Sequence, residues 1–272
     1  LEKQNKTSIS LLGCGWLGLP LATSLIQKGH AVKGSTTSEN KLTILKSQGI
    51  IPNLISLRED KVVGDVTAFL EGSSILIIDI PPKLRGAEKE NFVAKMALLL
   101  PYIEATAIEK VILISSTSVY PDSNESITED TEPRPDSESG KQLLQVEQLF
   151  KNSKKFQTTV VRFGGLIGED RHPVVFLSGR KNIEQPEAPI NLIHRVDCIG
   201  IIEKIISNDI WNETFNAVAP FHPTRKDYYT NMAKNLGIPL PEFTSDAISW
   251  GKTISSEKIT SFLQYQFVAK SL

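Results

Sequence analysis

Short apolar, β-branched runs alternate along this chain with stretches whose apolar residues recur at helical spacing. Segments 8–12, 30–34, 53–57, 74–80, 110–115 and 158–163 read as strands. Between them, segments 17–27, 39–48, 88–105 and 139–150 read as helices; Gly29 and Gly49 close the first two, and Ser38 is the expected cap of the second. Segment 74–80 is apolar at almost every position, as a strand covered on both faces of a parallel sheet must be, and Pro81-Pro82 stops it. Strands that alternate with helices in this way predict an α/β fold, a Rossmann-type doubly wound parallel sheet. The proline-bearing stretch 121–135 reads as a long loop, the kind that tends to carry function.

Beyond Gly168 the rhythm loosens. Segment 171–189 is irregular, 196–206 is helical, 213–218 is a short strand, and Thr224 opens a helix to Leu236 with Asp227 as its capping-box partner. The expected division is a dinucleotide-binding domain over 1–168, completed by the strand near 213–218, and a smaller, partly interleaved substrate cap over 169–272.

The sharpest chemical signal lies at the first strand-to-helix turn, Gly13-Cys14-Gly15-Trp16-Leu17-Gly18. Gly13 permits a tight turn, Gly15 removes a side chain where a pyrophosphate would approach the backbone, and Gly18 lets the helix pack closely on the strand. The helix amino terminus then offers unpaired N–H groups and a positive dipole end to the phosphates. Trp16 either flanks the pyrophosphate or covers the turn. A site selecting NAD has an Asp or Glu about 20 residues past the glycines, at the end of the second strand. Here that place holds Ser35, Thr36 and Thr37, with no carboxylate before Glu39 and with Lys41 close behind. Hydroxyls and a cation suit a 2′-phosphate, so NADP is favoured and NAD remains the alternative.

Charge narrows the partners. Lys and Arg number 30 against 31 Asp and Glu in 272 residues, with no long like-charge run, which points to a small-molecule substrate and away from nucleic acid or a membrane surface. Two cysteines, Cys14 and Cys198, make neither a disulfide framework nor a zinc pattern, and no metal site is expected. Residues 1–6 lack the apolar core of a signal peptide, and a reducing, cytoplasmic setting is the expectation. A homodimer is compatible with the chain.

With the glycine fingerprint, Ile114-Ser115-Ser116-Thr117-Ser118-Val119-Tyr120, Val161-Arg162-Phe163-Gly164-Gly165-Leu166-Ile167-Gly168 and Asn191-Leu192-Ile193-His194-Arg195-Val196-Asp197, the chain resembles the extended short-chain dehydrogenase/reductases, which include nucleotide-sugar epimerases and dehydratases. The resemblance implies cofactor contacts from Gly13, Gly15, Trp16, Leu17 and Gly18, from Ser35, Thr36, Thr37 and Lys41, from Ile80, Pro81 and Pro82, and from Ser115, Phe163 and Gly164. It also implies that Ser116 orients a substrate oxygen. The family's Tyr and Lys, one helical turn apart, fall here on Ser139 and Leu143, and the residues four beyond Tyr102, Tyr120, Tyr228, Tyr229 and Tyr265 are Thr106, Asn124, Met232, Ala233 and Ala269. No tyrosine has its lysine, which is similar to the atypical branch of that superfamily. Losing a positioned acid/base typically forfeits ~10²- to 10⁴-fold in rate.

Two functions follow as expectations. One is an oxidoreductase, epimerase or dehydratase acting on a small hydroxyl- or keto-bearing substrate, with Ser116 and the titratable His194 as candidate catalytic groups. The other is a non-catalytic NADP(H)-binding sensor or scaffold, supported by the missing pair. Arg171, His172, Arg180 and Lys181 read either as a phosphate-binding group or, more simply, as a solvated basic loop.

Overall fold

The computed structural model describes residues 7–82, 84, 90–245 and 250–269. Its centre is a seven-stranded, wholly parallel sheet: β1 (Ser8–Leu12), β2 (Ala31–Thr36), β3 (Ile51–Leu54), β4 (Ile75–Ile78), β5 (Lys110–Ser116), β6 (Gln157–Phe163) and β7 (Thr214–Ala217). Their order across the sheet is β7-β6-β5-β4-β1-β2-β3. Helices α1 (Gly18–Gln27), α2 (Asn40–Ser47), α3 (Phe92–Glu104), α4 (Glu138–Lys151), α5 (Arg195–Ser207) and α6 (Arg225–Asn235) connect or flank it.

Strand alternation divides the core into two layers. Ile9, Leu11, Ile75, Ile77 and Ile112 turn to the side of α1 and α5, where Leu21, Leu25, Ile201 and Ile205 are fully buried. Leu76, Ile78, Val111 and Leu113 turn to the other side, onto Met96 and Leu99 of α3 and Val146 and Phe150 of α4. A third cluster lies beyond the sheet, where Ile167, Val174, Ile190 and Leu192 meet Tyr228, Tyr229 and Ala233 of α6.

Several boundaries differ from the sequence expectation. β3 begins at Ile51, and the stretch expected to continue it instead forms a separate hairpin, Ser56–Leu57 with Val62–Val63. β3 is an edge strand, where Pro52 is tolerated because one side of the ladder has no partner. β2 runs on to Thr36, which carries Ser35 and Thr36 to the rim of the sheet. Ser38 does not cap α2: the cap position is Glu39, in helical conformation with no side-chain bond, and the Ser38 N–H donates to Thr36 Oγ1 at 3.2 Å. α3 starts at Phe92 behind an Asn91 cap that accepts from the Ala94 N–H; Glu88 and Lys89, expected to open it, lie outside the described residues. α4 is capped by Ser137, whose hydroxyl accepts from the Gly140 N–H. The long loop is pinned part-way by a two-residue strand, Ser126–Ile127, paired with Thr253–Ile254.

Candidate functional site

β1 lies between β2 and β4, and the chain leaves it toward β2, so the sheet order reverses at the β1–β4 boundary. Such a reversal opens a crevice beyond the carboxyl ends of the strands. Gly13 follows β1 at φ +108°, a left-handed conformation that favours a residue without Cβ. Its N–H donates to Ser35 Oγ at 2.9 Å, and the Cys14 N–H donates to the Ser35 carbonyl at 2.8 Å, which ties the turn to the end of β2.

The three glycines are not equivalent. A Cβ on Gly13 would stand 2.3 Å from the Asp79 carbonyl oxygen, and one on Gly18 would stand 2.1 Å from the Gly13 carbonyl oxygen. Both are demanded by the fold. Gly15 has nothing within 4 Å of its Cβ position, so the fold leaves that space open beside the amino end of α1. This is the cradle a diphosphate requires, and the residues present fit it.

A cavity of roughly 440 Å³ extends from the turn. Gly13, Cys14 and Gly15 form one end, and Ser35, Thr36 and Thr37 with Lys41 form a polar wall. Ile80 and Pro81 face it from the segment after β4. The rest of the lining includes residues that no local sequence signal marks: Ile55, then Ser56, Leu57 and Arg58 at the hairpin, Phe92 and Lys95 of α3, and Asp79. Lys95 is paired with Glu90, whereas Lys41 and Arg58 have no carboxylate partner among the described residues. Asp79 accepts the Gly18 N–H, and burial pushes its carboxyl up to about 8 against that bond. The Cys14 thiol is pushed up to about 12, first by burial and then by Asp79, so it is no nucleophile at neutral pH.

The other expected cofactor residues stand apart from this cavity. Leu17 and Phe163 are buried in the core layer under α1. Ser115 is buried, and its hydroxyl donates to Glu147 Oε1 at 2.6 Å. Gly164 packs so closely that a Cβ would lie 2.5 Å from the Asn191 carbonyl oxygen. Trp16 leaves the turn on the far side from the cavity wall and is gripped by the segment after β6. Its indole N–H donates to Asp170 Oδ1 at 2.9 Å, and the guanidinium carbons of Arg195 and Arg171 lie 4.6 and 5.0 Å from its ring centroid. Arg195 also bridges Glu169 at 2.9 Å and Asp170 at 3.3 Å.

Ser116 ends β5 and caps a single 3₁₀ turn, its Oγ accepting from the Ser118 N–H at 3.1 Å. The first turn of α4 abuts the same turn, since a Cβ on Gly140 would fall 2.2 Å from the Ser118 carbonyl oxygen. Position 139 is therefore held beside the Ser116 segment, while Leu143 is buried in the core. His194 caps α5, its Nδ1 accepting from the Val196 N–H at 3.2 Å, with Nε2 3.6 Å from Glu169 Oε1. Of the tyrosines, Tyr120 bonds Arg162 and Asn216, Tyr228 bonds His172, and Tyr265 donates to Asp197. None of these partners is a lysine. His172 is stacked on Tyr228, and burial lowers its pKa. Lys181 meets Glu242 at 3.3 Å on the surface.

No helix among the described residues is long and apolar enough to cross a membrane, and no group of three His, Cys, Asp or Glu side chains among them stands ready for a metal.

The fold, a Rossmann-type α/β sheet with a crevice at its topological switch point, is shared with solved epimerases and short-chain dehydrogenase/reductases. The structure superposes on a putative NAD-dependent epimerase/dehydratase from Methylobacillus flagellatus (TM-score 0.78, 22% identity, 97% of this chain and 94% of that one). UDP-glucuronic acid 4-epimerase from Bacillus cereus in complex with NAD matches with TM-score 0.78 at 17% identity over 97% of this chain and 92% of that one. A short-chain dehydrogenase/reductase superfamily protein from Agrobacterium tumefaciens with bound NAD matches with TM-score 0.74 at 17% identity over 96% and 92%. No family model matches the chain. In sequence it is 31% identical to Protein YeeZ of Escherichia coli K12 over 262 residues, 95% of each protein, and the chain belongs to the YeeZ family.

Proposed function

We propose that the chain binds NADP(H) along the crevice and works as an atypical short-chain dehydrogenase/reductase on a small hydroxyl- or keto-bearing substrate, of the nucleotide-sugar kind that the similar epimerases take. The observation that carries this is the cavity that runs from the bare Gly15 position to a wall of Ser35, Thr36, Thr37, Lys41 and Arg58. The turn accepts the diphosphate on backbone N–H groups. The hydroxyls and the two cations then receive a 2′-phosphate, where a carboxylate would select a free ribose hydroxyl. When bound, the dinucleotide supplies or takes up hydride.

Around the reacting atoms, this chain's own contributions are modest. Ser116 retains a donor hydrogen after accepting from Ser118 and so can hold a substrate oxygen. His194 keeps Nε2 3.6 Å from Glu169 Oε1 while its Nδ1 caps α5. With a serine at 139 and a leucine at 143, no phenol–ammonium pair lowers the barrier, and turnover is slow.

A second reading has specific support in that same pair of positions: a dinucleotide-responsive protein with no chemistry of its own. Fluorescence titration with NADPH followed by a nucleotide-sugar turnover panel separates the two. Turnover that falls at least tenfold in Ser116→Ala supports the enzyme, while tight binding with no turnover across the panel supports the sensor.

A further inference from the structure

One group in the crevice has no role in either reading. Asp79 directly follows the apolar strand β4, and its N–H donates to the Leu12 carbonyl at 2.9 Å, which fixes it at the rim. Its Oδ2 stands 3.1 Å from the place a Cβ on Gly18 would occupy, and its carbonyl stands 2.3 Å from that of Gly13. The carboxyl thus packs against the glycine turn, in a half-buried residue that lines the cavity, and accepts the N–H of the first residue of α1. A helix amino end with an open glycine beside it is a place for an anion. Here an acidic side chain occupies the inner half of it.

The groups facing Asp79 do little to neutralise a charge there. Cys14 on the turn and Cys198 on α5 are both within its field: burial and then Asp79 raise the Cys14 thiol, and burial, Asp197 and then Asp79 raise that of Cys198. Lys41 of α2 acts on Cys14 from the far side, Arg58 stands on the hairpin wall, and Lys95 is held by Glu90. Among the described residues no cation contacts the Asp79 carboxyl; its burial outweighs the Gly18 hydrogen bond and favours the protonated form.

We infer that Asp79 is the proton-carrying residue of the diphosphate site: the dinucleotide binds the protein only with this carboxyl neutral, and binding captures a proton wherever the free protein has lost it. The inference rests on the dinucleotide reading and adds its regulation. Two like charges a few ångströms apart in a partly enclosed crevice weaken binding by on the order of 100-fold. With a carboxyl poised at about 8, affinity is flat near neutrality and falls about tenfold per pH unit above that value.

The test is an NADPH titration of the full chain and of Asp79→Asn between about pH 7 and 9.5, above the range in which the 2′-phosphate itself titrates. The expected result is a loss of at least tenfold in affinity for the unsubstituted chain and less than about twofold for Asp79→Asn, whose amide still accepts the Gly18 N–H. Calorimetry of the unsubstituted chain near pH 8.5, in two buffers of different ionisation enthalpy, needs no variant and should register uptake of a large fraction of one proton. Parallel pH profiles for the two proteins, or binding without proton uptake, overturn the inference and leave the cofactor reading standing. Absence of NADPH binding by either protein at every pH overturns the cofactor reading and this inference with it.

Discussion

Removing Glu147 alone should be among the most damaging single changes this chain can suffer. Glu147 on α4 and Arg162 on β6 are 1% and 4% exposed and form a bidentate pair, with Nε to Oε1 at 3.1 Å and Nη2 to Oε2 at 2.6 Å. Arg162 Nη1 donates to the Tyr120 hydroxyl at 2.6 Å, that hydroxyl donates to Asn216 Oδ1 at 2.9 Å, and the guanidinium carbon lies 4.9 Å from the Tyr120 ring centroid. Ser115 closes the network on Glu147 Oε1. Glu147→Leu leaves a guanidinium buried without its counter-charge, a loss of ~3–5 kcal/mol. The orphaned Ser115 hydroxyl adds ~1–3 kcal/mol. Against a total stability of ~5–15 kcal/mol, that approaches unfolding. Urea denaturation of Glu147→Leu, Arg162→Met and the double variant measures it. The double variant should recover more than half of the loss of Glu147→Leu, because the uncompensated charge is gone. If Glu147→Leu costs under ~1 kcal/mol, or the double variant is as unstable as the sum of the singles, the pair is not the clamp that joins α4 to the ends of β5, β6 and β7.

Other outcomes follow from the same geometry. Gly15→Val should abolish NADPH binding in a fluorescence titration while the melting temperature hardly moves, because the fold leaves that position empty; Gly13→Ala, at φ +108° and 2.3 Å from a backbone oxygen, should lower the melting temperature as well. Lys41→Ala and Arg58→Ala should each weaken NADPH roughly tenfold or more and NADH little, and equal losses for both nucleotides would remove the 2′-phosphate assignment. Asp79 links stability to pH in the sense opposite to a salt-bridged carboxylate. Its folded value of about 8 exceeds the unfolded 3.8, so the folded chain holds a proton that the unfolded chain has released between those values. Stability therefore falls as pH rises through that window and levels above it, and Asp79→Asn should flatten the slope in denaturation midpoints taken at about pH 5, 7 and 9.

What the amino-acid sequence discloses and what it hides follow one physical distinction. The glycine turn and the buried strands are local features: 13–18 is legible because backbone freedom is needed at fixed offsets, and Ile75–Ile78 because both of its faces must be apolar. The bounds of β3 are hidden because an edge strand need bury little: Ile51 and Leu54 are 53% and 40% exposed, with Pro52 and Asn53 between them. The far wall of the cavity was illegible for a different reason. Ser56, Leu57 and Arg58 share the cavity with Lys41 because the chain turns into a hairpin after β3, and no local pattern states that register. Polar residues committed to the interior are hidden in the same way, since Arg162 and Glu147 look like surface residues until the sheet brings them together.

The same distinction bears on Ser139 and Leu143, the positions that the resemblance sets on the tyrosine and lysine of the extended short-chain dehydrogenase/reductases. Those two positions are read easily, because one helical turn separates them, but the consequence of the change depends on nonlocal packing that has been kept. Gly140 brings the first turn of α4 against the Ser118 carbonyl, and Glu147 anchors that helix through Arg162 to β6, the strand paired with β5 beside Ser116. Under the proposed function that packing holds position 139 toward the substrate, where the side chain is a hydroxyl with no ammonium four residues on. Slow or absent turnover together with unimpaired NADPH binding is the combination this arrangement predicts, and a rate near that of ordinary dehydrogenases would mean that a proton donor enters from elsewhere in the cap.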